Sequence, residues 1–225
     1  MAVFLADVIG QPNKATFIFD DPISSLDIDF EEATAKRLVS LSKERQVIVF
    51  THRLSLFSVL QDTAKKEGID PHVVCLRRER WGIGEPGDTP INAKNPKKAL
   101  KFILDHRVPK SKKILETEGS EEYDLMAKGI CSDIRILVER IVEKNLLSDI
   151  VQRFRRSVQT LNKIENLAKI RPDDCLFVDN FMTKYSHFEH SQPLETPVKI
   201  PGPDELSDDL TEIISWIKEF DKRAA

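Results

Sequence analysis

Two short apolar runs near the beginning of the chain, residues 16–19 and 47–50, are rich in Ile, Val and Phe, and each ends in a polar cluster. Such runs are typical of buried strands in a parallel sheet. Between them, residues 29–43 place apolar side chains among charged ones, as a crossover helix does. We therefore predict a βαβ unit, followed by a helix over 54–67 and a third strand over 72–76.

The pattern changes in the middle of the chain. Residues 81–96 are crowded with Gly, Pro, Asp and Asn and are predicted to form a loop. The spacing of apolar residues is helical beyond that point, with a long amphipathic stretch over 146–167 and a final helix that starts at Pro203. The predicted fold class is α/β: a partial parallel sheet with flanking helices in residues 1–92, followed by a mostly α-helical domain in residues 93–225.

Composition and charge restrict the class of protein. The chain has 225 residues, of which 40% are hydrophobic and 32% charged, and no apolar run approaches the roughly 20 residues of a membrane span. With no signal segment at Met1, we expect a cytoplasmic location. Its three cysteines form no C-x-x-C pair, which favours neither a disulfide framework nor a zinc site.

Charge is distributed unevenly along the chain. Residues 94–170 hold 17 Lys and Arg against 11 Asp and Glu, whereas residues 171–225 hold 6 against 12. The basic block could bind nucleic acid through its phosphates. We favour the alternative that the acidic tail neutralises the basic block within the same fold.

The first apolar run carries candidate chemistry. Phe17-Ile18-Phe19-Asp20-Asp21 places two adjacent carboxylates at the C-terminal end of a predicted strand, where ligands bind in open α/β sheets. Mg²⁺ bound to a triphosphate prefers hard oxygen ligands, and a second carboxylate can polarise an attacking water. Asp-Asp-Pro is also a common turn sequence, so the interpretation depends on the residues that follow.

Those residues extend the pattern. Asp20-Asp21-Pro22-Ile23-Ser24-Ser25-Leu26-Asp27 resembles the joined Walker B motif and D-loop of ABC-type ATPases, including their SMC-like DNA-repair and anti-phage branch. About 25 residues later, Val47-Ile48-Val49-Phe50-Thr51-His52 resembles the next strand and the switch histidine of the same family. The resemblance covers residues 1 to about 92 and implies ATP and Mg²⁺ as cofactors.

The resemblance also implies a role for individual residues. Asp20 holds Mg²⁺ through water, Asp21 is the general base, Ser25 belongs to the nucleotide site, Asp27 contacts the partner subunit and His52 contacts the γ-phosphate. The family usually has glutamate at the position of Asp21. The shorter side chain moves the base back by roughly 1.5 Å, so slow or partner-gated hydrolysis is expected.

The phosphate-binding part of such an ATPase has no counterpart in the sequence. No G-x-x-x-x-G-K-[ST] motif and no Leu-Ser-Gly-Gly-like signature precede Asp20, and residues 82–89, which match the glycine spacing, carry Asp88 in place of lysine. We expect the catalytic end of a longer ATPase: a fragment, a truncated reading frame or one piece of a split enzyme. Its expected partner is an upstream P-loop half or a second ATPase subunit, in a homo- or hetero-oligomer, and we expect little hydrolysis without it.

A second pattern lies in the helical part. Arg135 and Glu139 are four residues apart on one helix face, and His187 and His190 follow about fifty residues later. This resembles the HEPN-like domain of the ATPase branch that includes bacterial anticodon nucleases. The resemblance implies that Arg135 stabilises a phosphorane, Glu139 orients a partner and one of the two histidines acts as acid and base. A surface ion pair and exposed histidines explain the same residues.

Three hypotheses therefore remain open. The leading one is an ATPase lobe that completes a nucleotide site with a partner. The alternative is an RNA-cutting HEPN-like effector regulated by the ATPase part, with tRNA or DNA as a further candidate partner. The third is a degenerate interaction module that neither binds nucleotide nor cuts RNA.

Overall fold

The computed structural model describes residues 15–23, 28–153, 158, 160, 162–188 and 199–224. Contacts divide the chain into two compact units, one ending at Pro86 and one starting at Gly87, whereas the sequence pattern placed the boundary after residue 92. The first unit contains both strands and helices, the second is mostly helical, and each is described separately. Within the described ranges, no helix is long and apolar enough to cross a membrane.

The first unit begins with the predicted βαβ arrangement. Strand β1 (Phe17–Asp20) pairs in parallel with β2 (Val47–Phe50), and helix α1 (Ile28–Ser42) connects them. The register places Phe17 opposite Val47 and Asp20 opposite Phe50. Helix α2 (Leu54–Lys66) follows, and the chain leaves it through Gly68, whose φ of 71° lies in the left-handed region that glycine tolerates. The βαβ prediction is confirmed.

The prediction that both strands are buried is wrong. Ile18 is 65% exposed, Ile48 36% and Phe50 43%, so one face of the two-stranded sheet is open. Helix α1 supplies the buried residues of this unit instead, through Ala35, Leu38, Val39 and Leu41. The described residues of this unit therefore cover only one face of the two-stranded sheet.

The third strand also differs from the prediction. Strand β3 (Cys75–Glu79) starts later than expected and pairs with β4 (Gly82–Gly87) in a separate two-stranded sheet, rather than with β1 or β2. The segment predicted to be a loop thus contains a strand, because a two-residue turn at Arg80 and Trp81 lets the chain fold back on itself.

The second unit is mostly α-helical, as predicted. Its helices are α3 (Pro96–Phe102), α4 (Val108–Thr117), α5 (Ser120–Ile141), α6 (Pro172–Ser186) and α7 (Pro203–Lys222). A π-helical segment, Ile103–Arg107, joins α3 to α4, another, Val142–Leu146, continues α5, and short 3₁₀ turns span Ile91–Ala93 and Ile164–Lys169.

One continuous core holds this unit together. Helix α5 packs against α4 and α6, and α7 packs against α3 and α4. The largest fully buried side chains of the core include Tyr185 and Phe220. Helix α7 begins at Pro203, as predicted, with Asp204 and Glu205 in its first turn. Lys112 and Asp204 form an ion pair of 3.0 Å, which is the kind of contact expected between the basic block and the acidic tail.

The predicted long helix over residues 146–167 is wrong. The π-helical segment ends at Leu146, and Ser148 and Asp149 then adopt left-handed backbone angles, with φ of 49° and 62°. Two successive non-glycine residues in that region cannot belong to a right-handed helix. Among the described apolar residues after this turn, Ile150 is buried, whereas Val151, Val158 and Ile164 are exposed.

Candidate functional site

The first unit brings the two predicted motifs to one edge of the sheet. Asp21 directly follows β1, and Thr51 and His52 directly follow β2. Because the strands are parallel, their carboxyl ends lie side by side. The backbone N–H of Asp21 donates to the carbonyl of Phe50 at 2.9 Å, which continues the pairing one residue beyond β1.

The Asp21 carboxylate contacts both residues that follow β2. Thr51 Oγ1 donates to Asp21 Oδ1 at 2.8 Å, and His52 Nδ1 lies 2.5 Å from Asp21 Oδ2. The hydrogen bond from Thr51 lowers the pKa of Asp21 most, and the bond and charge of His52 lower it further against the cost of burial. Asp21 is therefore a carboxylate at neutral pH.

The backbone of Asp21 is unusual. Its φ of 38° is positive, which is uncommon for a residue other than glycine, although Asp tolerates it better than most. One backbone and two side-chain hydrogen bonds hold this conformation. The turn aims the carboxylate of Asp21 across to β2 rather than along the axis of β1.

His52 is held at one nitrogen and open elsewhere. Its side chain is 83% exposed, while Nδ1 is engaged by Asp21. Contact with a carboxylate favours a proton on Nδ1 and leaves Nε2 for an external group. Nε2 then accepts hydrogen bonds, and it donates one only when both ring nitrogens carry a proton.

Asp20 lies apart from this pair. It is exposed and alternates with the inward-facing residues of β1, so it shares the open face of the strand with Ile18. Its carboxylate is a hard oxygen ligand that solvent can reach. The described residues include no group of three or more His, Cys, Asp and Glu placed to hold a metal ion. A single accessible carboxylate still fits Mg²⁺, which keeps several waters and phosphate oxygens as ligands.

A buried ion pair supports the loop after His52. Arg53 Nη2 lies 2.5 Å from Glu31 Oε1, and Ser55 Oγ donates to the same oxygen at 3.0 Å. Arg53 Nη1 also donates to the carbonyl of Ile23 at 3.4 Å. Arg53 therefore ties the turn after β1 to the first turns of α1 and α2. Sequence reasoning gave no role to Thr51 and did not single out Glu31 or Arg53, since charged and hydroxyl residues in or beside a motif carry no distinguishing spacing.

Two predicted residues of the ATPase motif, Ser25 and Asp27, lie outside the described residues. The structure therefore brings together Asp21 and His52, whereas Asp20 lies on the open face of β1. The predicted geometry, in which His52 reaches a phosphate, has to accommodate the contact between its Nδ1 and Asp21.

The helical unit contains the other predicted site. Arg135 Nη1 lies 3.1 Å from Glu139 Oε1 on α5 and also contacts the sulfur of Met182 on α6. The remaining oxygen of Glu139 is bound by Arg153 at 2.6 Å, and Arg153 Nε donates to Glu143 at 2.6 Å. Arg135 and Glu139 thus belong to a network of charges rather than to an isolated surface pair.

His187 does not join this network. His187 is an exposed turn residue after α6, and no hydrogen bond joins it to Arg135 or Glu139. His190 lies outside the described residues. Within the side chain of Arg135, the Nε atom is buried and finds no hydrogen-bond partner among the described residues.

The second unit also has a polar cleft of about 250 Å³. Lysines 97, 144 and 163 line it together with Asp149 and Asp221. Lys163 donates to the carbonyl of Ser148 and Asn145 to Asp221, so much of its polar lining is already engaged. None of the residues predicted from the sequence lines the cleft.

Comparison with known proteins adds no family to this description. No protein-family model, no curated protein and no solved structure matches the chain.

Proposed function

We propose that the first unit is the Walker B, D-loop and switch-histidine lobe of an ABC-type, SMC-like ATPase. The observation that carries the proposal is the meeting of Asp21 and His52 at the carboxyl ends of two parallel strands, with His52 Nδ1 2.5 Å from the carboxylate. Residues that are 31 positions apart in sequence reach one edge, which is where open α/β sheets bind ligands.

Each residue has a role in this proposal. Bound Mg²⁺ supplies positive charge that offsets the charge developing on the transferred phosphoryl group, and the accessible carboxylate of Asp20 would hold it through water. Asp21, ionised at neutral pH, orients and polarises the attacking water. Because hydrogen bonds from Thr51 and His52 lower its pKa, Asp21 is a weak base, in line with slow hydrolysis. With both of its ring nitrogens protonated, His52 would donate to phosphate through Nε2.

The open sheet supports the proposed partner. Parallel sheets normally have both faces covered, since their crossover helices pack on them. Ile18, Ile48 and Phe50 are nevertheless exposed on this two-stranded sheet. A P-loop half or a second ATPase subunit that adds strands and covers this face would bury them and bring the phosphate-binding loop to Asp20 and Asp21.

ATP hydrolysis by the chain mixed with a separately expressed P-loop half tests the proposal. We expect turnover in the mixture and its loss in Asp21→Asn and in His52→Ala. Asp70→Asn and His72→Ala serve as matched controls, because both residues are exposed in the same unit and belong to the segment between α2 and β3 rather than to either motif. Equal activity of the site variants and the controls would refute the assignment.

A second function rests on one observation in the helical unit. The partly buried guanidinium of Arg135 has an Nε without a partner among the described residues, so a phosphate could accept from it. We propose metal-independent RNA cleavage, with Arg135 and Glu139 at the site, as the alternative function. Cleavage of tRNA in excess chelator, lost in Arg135→Gln and kept in Arg37→Gln, an exposed arginine of the other unit, is the expected result. Absence of cleavage in the wild-type chain removes this alternative.

A further inference from the structure

The hairpin formed by β3 and β4 exposes an unusual set of side chains. We call residues 75–87 the basic hairpin; it carries Arg77, Arg78 and Arg80, all of which are exposed. Its acidic residues, Glu79 and Glu85, are half-buried. The charge that the hairpin presents to solvent is therefore mainly positive.

Large apolar side chains accompany these arginines. Trp81, in the turn of the hairpin, is 78% exposed, and Ile83 is 82% exposed. Leu76 is half-exposed. Burying a tryptophan stabilises a fold by more than burying almost any other side chain, and several large apolar side chains exposed on one hairpin are typical of an interaction surface. By contrast, Trp216 of the helical unit is buried.

The backbone next to Trp81 is open to close approach. Gly84 has a φ of 83°, and nothing in the described chain lies within 4 Å of the position that a Cβ would take there. Glycine in a strand often marks a place where a ligand or another backbone comes close. The indole of Trp81 and this stretch of β4 are therefore both open to a ligand.

We infer that the basic hairpin binds single-stranded nucleic acid, with a base stacked on Trp81 and phosphates contacted by Arg78 and Arg80. An exposed aromatic ring in the same hairpin as cationic side chains is the combination that single-strand binders use, since every base has a face to stack and every linkage a charge. The charge of the hairpin favours this polyanion over an apolar protein surface. The inference is independent of ATP hydrolysis, because it requires neither nucleotide nor a second subunit.

Fluorescence of the full chain provides the first measurement. Oligothymidylate and oligouridylate of about 12 nucleotides, near the size that such sites cover, are titrated against wild type and Trp81→Phe. Because Trp216 is buried, quenching in the wild type reports Trp81. We expect saturable quenching by both oligonucleotides, and weaker binding to a duplex of the same length, whose bases are already stacked.

Fluorescence anisotropy of labelled oligonucleotides provides the second measurement. Trp81→Ala should weaken binding about 5- to 100-fold, and Trp81→Phe should restore much of the affinity because a ring is retained. With two arginines on phosphates, the logarithm of affinity should fall with the logarithm of salt concentration with a slope of about −1.4, and Arg78→Gln or Arg80→Gln should reduce that slope by about 0.7 each. Leu176→Ala and Arg37→Gln are matched controls, as both residues are exposed on other elements.

The quenching and anisotropy measurements together decide whether the hairpin binds single-stranded nucleic acid. Loss of affinity in the Trp81 and arginine variants with unchanged controls supports the inference. It is overturned if the wild type gives no saturable quenching, or if affinity is the same in Trp81→Ala. It is also overturned if a P-loop half protects Trp81 from iodide quenching while oligonucleotides do not, since the hairpin is then part of a protein interface.

Discussion

Asp174 offers a quantitative test of how the helical unit is held together. It lies at the start of α6 and is only 1% exposed. Its carboxylate accepts hydrogen bonds from Trp216 Nε1 at 2.9 Å, Arg223 Nη1 at 2.5 Å and the backbone N–H of Arg171 at 2.8 Å. One side chain thus ties the first turn of α6 to both the middle and the end of α7.

The loss expected on Asp174→Ala follows from these three bonds. Two neutral donors contribute about 1 kcal/mol each, and the charged Arg223 contributes about 1.5–3 kcal/mol. Arg223 is 22% exposed, so water partly replaces its partner and lowers the cost. Water does not replace the hydrogen bond that Trp216 Nε1 loses, because Trp216 is buried. We expect the free energy of unfolding of the helical unit to fall by about 3 kcal/mol.

Urea unfolding followed by tryptophan fluorescence measures this change. A Trp81→Phe background leaves Trp216 as the reporter of the helical unit, which matters because a chain of two units need not unfold in one step. Asp173→Ala is the matched control: its side chain is exposed in the same helical turn, and its loss should cost at most about 1 kcal/mol. If Asp174→Ala costs no more than Asp173→Ala, the three hydrogen bonds do not stabilise the unit as described.

The pKa of Asp174 adds a pH dependence to the same experiment. Burial raises its pKa, but the bonds from Arg223, Arg171 and Trp216 outweigh burial and hold it below the usual value of 3.8. A lowered pKa contributes stability that is fully present above the unfolded value and is lost as pH falls through the folded value. The difference between wild type and Asp174→Asn should therefore shrink when the pH drops below about 4. A difference that is constant down to pH 2 contradicts this sign.

Three further predictions test separate parts of the structure. Glu139→Gln should destabilise the helical unit by about 1–2 kcal/mol in urea unfolding, because Arg135 and Arg153 lose the partly buried carboxylate that they bind. An unchanged midpoint of unfolding would show that this network of charges does not stabilise the unit. Burial raises the pKa of Cys131 to about 12, so maleimide at pH 8 should label the exposed Cys175 and leave Cys131 unmodified until urea is added, as read by peptide mass spectrometry. Leu38→Ala should cost about 2–4 kcal/mol of first-unit stability, measured by circular dichroism, whereas a cost below 1 kcal/mol would contradict the packing of α1.

Local patterns predicted much of the fold. The apolar runs that became β1 and β2, and the charged helix between them, imply a parallel pair because a crossover of this length returns the chain in the same direction. Pro203 followed by two acidic residues marks the start of α7 through helix-terminus chemistry alone. These features depend on residues that are close together in the sequence.

Features that no local sequence pattern marks were missed. Which strand β3 pairs with is decided by the turn at Arg80 and Trp81, not by the composition of β3. The left-handed angles at Ser148 and Asp149 end the helical pattern without any glycine or proline to announce it. At the candidate site, the motif predicted the position of Asp21 but not its pairing with His52, which needs the positive φ of Asp21.

The central claim is that Asp21 acts on the reacting water, and the dependence of ATP turnover on Asp21→Asn tests it most directly. In the mixture with a P-loop half, we predict that the substitution lowers kcat by about 100-fold or more, the usual contribution of a positioned catalytic group, while KM for ATP changes only a few-fold. A kcat equal to that of the wild-type mixture, or a loss confined to KM, would contradict the assignment of Asp21 to catalysis.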